Sequence, residues 1–210
     1  MKLNDYKEVM HFQLYHRSAA IQGIVLTLCC GAAGAQPYPT KPVRLIVSFP
    51  AGGPSDLLGR ALVQKLAEQL GQNFVPDNRV GAGGNLGIGL AAKAAADGYT
   101  LLITSPTIAI SPSLYAHLDY DAARDLAPVA RLASIQNVVL VHPSVPVKTL
   151  KEFIALARAK PGKLNYGSGG PGTTNHLANE WLMTLAKINM VHIPYKGATI
   201  ATLALMGGEV

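Results

Sequence analysis

The sequence predicts an α/β protein, and three observations carry that expectation. Apolar strand-like runs alternate with helix-like ones from about residue 43 onward. Three of those runs enter glycine-rich loops that open onto a helix: residues 43–48 before Phe49-Pro50-Ala51-Gly52-Gly53, residues 74–79 before Gly81-Ala82-Gly83-Gly84, and residues 164–166 before Gly167-Ser168-Gly169-Gly170-Pro171-Gly172. The chain is also long enough, at 210 residues, to bury a real core.

The N-terminal segment reads as a leader. Residues 1–17 are polar and end in Arg17, residues 18–34 are small and apolar, and Ala33-Gly34-Ala35 supplies a small-x-small cleavage pattern. Residues 1–35 are therefore expected to be a signal peptide cleaved near Ala35, before Gln36; Met1 and Met10 both stand as starts. The apolar run falls short of the about 20 residues that a membrane span needs. Both cysteines, Cys29 and Cys30, lie in this leader, so the mature chain has no thiol for disulfides, nucleophilic catalysis or metal. An exported, soluble chain is the expectation.

Each later element follows from local pattern. The first strand leads into a helix over 55–70, with Leu57, Leu58, Ala61, Leu62, Leu66 and Leu70 near helical spacing and Gly71 as its stop. Ser55 or Asp56 is placed to cap it. An alanine-rich helix over 86–96 ends at Asp97-Gly98, and residues 99–104 read as a buried strand. Pro112 and a turn over 114–118 follow, then a polar connection over 119–125. Residues 129–141 read as a long extended crossover between two lobes. Thr149 and Glu152 form a capping box for a helix over 150–160, with Leu150, Phe153, Ile154 and Ala157 on its inner face. A strand over 164–166, a helix over 174–187, a strand over 190–193 and a helix over 198–206 complete the chain. The expected division is leader 1–35, first lobe 36–135 and second lobe 136–210.

Charge narrows the function. The chain carries 18 basic and 12 acidic residues, and loss of the leader lowers the net charge from +6 to +5. The basic residues are dispersed and aromatics are few, which argues against nucleic acid. A mild positive field favours a small anion. Glycine loops at helix starts are natural anion sites, because amide N–H groups converge there with the positive end of the helix dipole.

Two enzyme readings compete with binding. Gly167-x-Gly169-x-x-Gly172 matches a dinucleotide fingerprint, yet the next strand ends in Pro194-Tyr195-Lys196 with no acid to hold a ribose. Ser168 sits at a strand–turn–helix junction with His176 nearby, but position 166 is Tyr, so the nucleophile-elbow pattern is unmet. His176 reads as a packing or capping residue of its helix; His117, His142 and His192 read as isolated histidines. No metal cluster or cofactor is expected.

Magnitudes favour a two-sided binding site. Removing a carboxylate from water costs several kcal/mol. One helix start returns about 0.3–1 kcal/mol, and each charge-assisted hydrogen bond roughly 1.5–3 kcal/mol. Two loops closing from opposite lobes can therefore hold an anion where one cannot. Phe49 would form an apolar wall of that cleft. For residues 81–84 a ligand role and a simple tight turn are evenly matched.

Five segments occur in a telling order: Phe49-Pro50-Ala51-Gly52-Gly53; Asp77-Asn78-Arg79-Val80-Gly81-Ala82-Gly83-Gly84-Asn85; Pro112-Ser113-Leu114-Tyr115; Gly167 through Ala178; and Pro194-Tyr195-Lys196-Gly197. Together they resemble the Bug-type extracytoplasmic solute receptors of tripartite tricarboxylate transporters, over essentially all of residues 38–210. The resemblance implies a two-lobed, type II-like periplasmic binding protein. It implies capture of a carboxylated solute and handover to the transporter's membrane subunits, by a monomer without catalysis or cofactor. Ala51, Gly52 and Gly53 match the family's first gripping loop. Ser168, Gly169, Gly170, Thr173 and Thr174 match the second, and His176 and Tyr195 match positions near the cleft. Ser111 stands where the family usually carries Asn. Receptors of this type also continue for roughly another hundred residues, so a C-terminally truncated chain with exposed apolar surface is expected. An exported hydrolase using Ser168 and a non-binding remnant are the alternatives.

Overall fold

The computed structural model describes residues 37–210. Every helix and strand among the described residues belongs to one compact unit, the larger of two, Pro39–Val210. The expected signal peptide, with Cys29 and Cys30, lies outside the described residues. Among those residues no helix is long and apolar enough to cross a membrane.

The first half of the larger unit is a three-stranded parallel sheet. Strand β1 (Val43–Val47) is central, flanked by β2 (Phe74–Asn78) and β3 (Thr100–Ile103). Register pairs Val47 with Asn78 on one side and with Ile103 on the other, so all three strands end at one edge. Val43, Leu45 and Val47 form a buried core with Val63, Phe74 and Ile103; full burial of each such side chain contributes about 1.5–3 kcal/mol. The continuous apolar run of β1 suits a strand covered on both faces.

Helix α1 (Pro54–Leu70) follows β1 and ends at Gly71. Its N-cap is Gly53, with Pro54 at the first helical position, so neither Ser55 nor Asp56 occupies the cap. Asp56 instead reaches back and accepts a hydrogen bond from the Gly52 amide at 2.8 Å. A 3-10 turn (Ala82–Gly84) leads into α2 (Asn85–Ala92), which is shorter than the pattern predicts. After β3, helix α3 (Thr107–Leu114) contains Pro112 and was not expected from a segment rich in β-branched residues. Burial of Thr107 and Ser111 overrides weak local propensity there. Helix α4 (Ala122–Asp125) is capped by Asp121, whose carboxylate accepts from the amides of Ala123 and Arg124.

Residues 126–141 lie outside any helix or strand. Their apolar side chains are open to solvent, Val129 at 88% and Val138 at 73% exposure. Helix α5 (Leu150–Ala159) then starts on its box: Thr149 Oγ1 accepts from the Glu152 amide at 3.2 Å, while Glu152 accepts from the Lys148 amide at 2.7 Å. Phe153 and Ala157 are buried, whereas Leu150, expected inside, is half exposed.

The second sheet has two parallel strands, β4 (Asn165–Ser168) and β5 (Val191–Pro194), joined by helix α6 (Thr174–Ala186). Its core comprises Phe153, Ala157, Tyr166, Ala186, Ile188 and Met190. Helix α7 (Ala198–Met206) follows β5.

Candidate functional site

Glycine loops from the two sheets meet around one cavity of about 210 Å³. Residues 48–49 and 80–84 line it from the β1 and β2 ends, and residues 169–171 and 194–196 from the β4 and β5 ends. This is the strand-end position where ligands bind in parallel α/β sheets. Lys196 is the one residue of charged type among the lining residues, and none of them is acidic.

Contact between the loops is close and runs through glycine backbone. A Cβ on Gly83, which has φ +65°, would lie 2.4 Å from the Pro171 carbonyl oxygen. A Cβ on Gly197, at φ +136°, would lie 2.5 Å from Pro50 Cγ. Only glycine permits such approach in these conformations. The Tyr115 hydroxyl spans the same junction, 3.4 Å from the Ala82 oxygen and 3.5 Å from that of Pro171.

The first loop is shaped by a buried carboxylate. Asp56, 1% exposed, accepts from the Gly52 amide, from Arg60 Nε at 2.9 Å and from Asn78 Nδ2 at 3.0 Å. Asn78 also donates to the Phe49 carbonyl at 2.9 Å, fixing the loop where Phe49 enters the cavity. The Arg60 guanidinium, with the Gly52 amide and Asn78, holds the Asp56 carboxyl below its ordinary range against the opposing effect of burial.

The second loop is shaped by side chains around it. The Gly169 amide donates to Asn175 Oδ1 at 3.3 Å, that of Gly170 to Ser168 Oγ at 3.1 Å, and that of Gly172 to His176 Nδ1 at 3.3 Å. Thr173 Oγ1, with one proton to donate, lies 2.6 Å from the Gly170 carbonyl and 2.7 Å from Asn175 Oδ1.

The sequence-predicted residues thus fall into three groups. Phe49, Gly169, Gly170 and Tyr195 line the cavity together. Ala51 and Gly52 are exposed outside the lining, and Gly53 is buried, its Cβ direction 3.4 Å from Thr199 Oγ1. Ser168 and Thr173 are buried and hold the loop, Thr174 begins α6, and His176 lies beneath the loop. Residues 80–84, Pro171, Pro194 and Lys196 line the cavity as well. Their signal was the Gly81–Gly84 run and the Pro194-Tyr195-Lys196 segment, legible as motifs but not as a surface facing residues 169–171. Partial burial, then the Glu209 carboxylate, pushes the Tyr195 phenol up, so it remains a donor at neutral pH.

Ser168 does find a histidine, but it is His192, with Oγ 2.6 Å from Nε2. The serine is fully buried and its oxygen already accepts from Gly170. A nucleophile needs exposure to a carbonyl carbon, so this pair does not favour the hydrolase alternative. Among the described residues no group of three or more His, Cys, Asp or Glu side chains could hold a metal.

Comparison with known proteins agrees with this geometry. The profile of the tripartite tricarboxylate transporter family receptor matches residues 58–210. BugT of Bordetella pertussis is 39% identical over 200 residues, spanning 92% of this chain and 61% of BugT. Among solved structures, Rhodopseudomonas palustris Rpa4515 with adipate superposes with a TM-score of 0.80 at 38% identity, covering 82% of this chain and 58% of that one. MatC from the same organism, with bound malate, gives 0.74 at 30% identity, with 82% and 59% covered. The periplasmic binding protein BugD gives 0.73 at 30%, with 82% and 58% covered. The chain therefore spans less than two thirds of the length of each, and its parallel α/β fold is that of periplasmic binding proteins. By sequence and by fold, the chain belongs to the tripartite tricarboxylate transporter receptor family.

Proposed function

We infer that this chain captures a carboxylated small molecule in the periplasm and delivers it to the membrane subunits of a tripartite tricarboxylate-type transporter. One observation carries the reading: the residues lining the cavity between the glycine loops include one basic residue, Lys196, and no acidic one. A carboxylate entering that space gains a charge-assisted contact of roughly 1.5–3 kcal/mol while facing no like charge. Phe49 and Tyr195 supply apolar contact for the carbon skeleton. The relatives solved with adipate and with malate support a carboxylate as the ligand class. Residues 36–135 and 136–210 act as two lobes around the cavity, with residues 129–141 as the crossover between them, and the mature monomer begins after Ala35. The family is one of receptors, and this chain acts without catalysis or cofactor.

Isothermal titration against adipate, malate and the uncharged diamide of adipate tests this reading. Saturable binding of a dicarboxylate with none of the diamide is expected. A folded chain that takes no carboxylate would be the non-binding remnant instead.

A further inference from the structure

The last turn of α3 meets the second glycine loop outside the cavity. Helix α3 follows β3 and belongs to the first half of the unit, whereas Pro171 and Gly172 follow β4 in the second. Ile110, Leu114 and Tyr115 are not among the lining residues, yet all three face Gly172.

The contact is apolar and close. A Cβ on Gly172, at φ +77°, would lie 2.9 Å from Leu114 Cδ2, 3.9 Å from Ile110 Cγ2 and 3.9 Å from Tyr115 Cε2. The first distance is well inside the optimum of about 3.5–4.0 Å between carbon atoms. The loop backbone therefore rests directly on Leu114, and Ile110, four residues earlier, lies on the same helix face. The Tyr115 amide donates to the Ser111 carbonyl at 2.9 Å, which closes the turn and fixes where the ring starts.

Two carbonyls, one from each loop, converge on the Tyr115 hydroxyl. Its oxygen lies 3.4 Å from the Ala82 oxygen and 3.5 Å from that of Pro171. It also lies 3.7 Å from the Cβ direction of Gly83, whose backbone meets Pro171. A carbonyl oxygen has no proton to give, so the phenol is the donor to either. Both distances are long for O–H···O bonds, so the hydroxyl adds to the apolar seat rather than replacing it.

We propose that Leu114 and Tyr115 are positioning residues. They seat Pro171 and Gly172 against the Ala82–Gly83 turn and so slow the release of a captured anion that neither of them touches. The part concerning release rests on the receptor reading above; the part concerning the seat does not.

The two side chains do different things. Gly83 and Pro171 both line the cavity, so parting them opens its wall. Leu114 gives the loop an apolar surface to rest on. The Tyr115 hydroxyl puts a proton where the Ala82 and Pro171 oxygens would otherwise approach one point without a donor. Contacts made only while the loops are together act on the off-rate rather than the on-rate.

Two measurements on the full chain test this. The first is a ligand-free mutant cycle on the denaturation midpoint. Gly172→Ala should lower the midpoint less in Leu114→Ala than in the parent chain, because the truncated side chain no longer meets the new methyl. Equal shifts in the two backgrounds would overturn the seat. The second is adipate exchange followed by NMR. Tyr115→Phe keeps the ring and should speed release about two- to tenfold, the scale of one lost hydrogen bond, while association stays within about twofold. A lower melting temperature with an unaltered release rate would mean that the hydroxyl only stabilises the fold, and would overturn its role. If adipate fails to bind the parent chain, the receptor reading fails while the mutant cycle still decides the seat.

Discussion

Gly83 meets Pro171 with no room for a side chain, and this contact is the sharpest demand the site makes on a single residue. Gly83→Ala would place Cβ 2.4 Å from the Pro171 oxygen at φ +65°. The left-handed backbone alone costs about 1–2 kcal/mol with a Cβ present, and the clash forces the loops apart. We expect a modest fall in melting temperature and at least a ~10-fold loss of adipate affinity, since each 1.4 kcal/mol is tenfold. Calorimetric titration beside a thermal melt checks this; intact affinity would mean that the loops need not touch for capture. The glycine itself was legible in the sequence. Its reason was not, because Pro171 lies on another sheet's loop and nothing local to residues 81–84 points to it.

At the scale of elements, the capping box of α5 was readable, whereas the Gly53 cap of α1 and tertiary burial were not. The box at Thr149 and Glu152 needs only neighbouring atoms, and the structure contains it. Thr149→Ala should lower stability by about 1 kcal/mol, seen as a small shift in the denaturation midpoint with an unchanged slope. A shift of zero would show that α5 is held by Phe153 and Ala157 packing alone. Helix α3 shows the opposite case. Thr107, Ile108, Ile110 and Pro112 all argue against a helix locally, yet buried Thr107 and Ser111 hold one in place. Leu150 errs in the same direction, since helical spacing assigned it inward and the packing leaves it half exposed.

For the molecule as a whole, proton linkage predicts two steps of acid destabilisation. The proton affinity of His192 is lowered in the folded state, so the unfolded chain binds that proton first. The stability it contributes is full above about pH 6.5 and declines as pH falls below that value. Asp56 and Asp77 are held below the ordinary carboxylate range. For Asp56 the Arg60 contact dominates; for Asp77 burial acts upward and is outweighed by Arg44 and Arg79. Their contribution is full above about pH 4 and is lost below it. Circular dichroism melts from pH 8 to pH 3 should show a shallow decline near pH 6 and a steeper one below pH 4. A melting temperature flat down to pH 5 would remove the histidine step.

The sequence by itself determined the α/β class, the three strand–loop–helix junctions and the family motifs, because strand pattern, glycine conformation and capping act between near neighbours. Tertiary structure decided which loops share the cavity, that the amides of Gly169, Gly170 and Gly172 have acceptors within the protein, and that Ser168 pairs with His192 rather than His176. Those outcomes depend on strand register and on how closely backbones approach across the cavity. Both are set by packing between elements distant in the chain, which no local run of residues encodes.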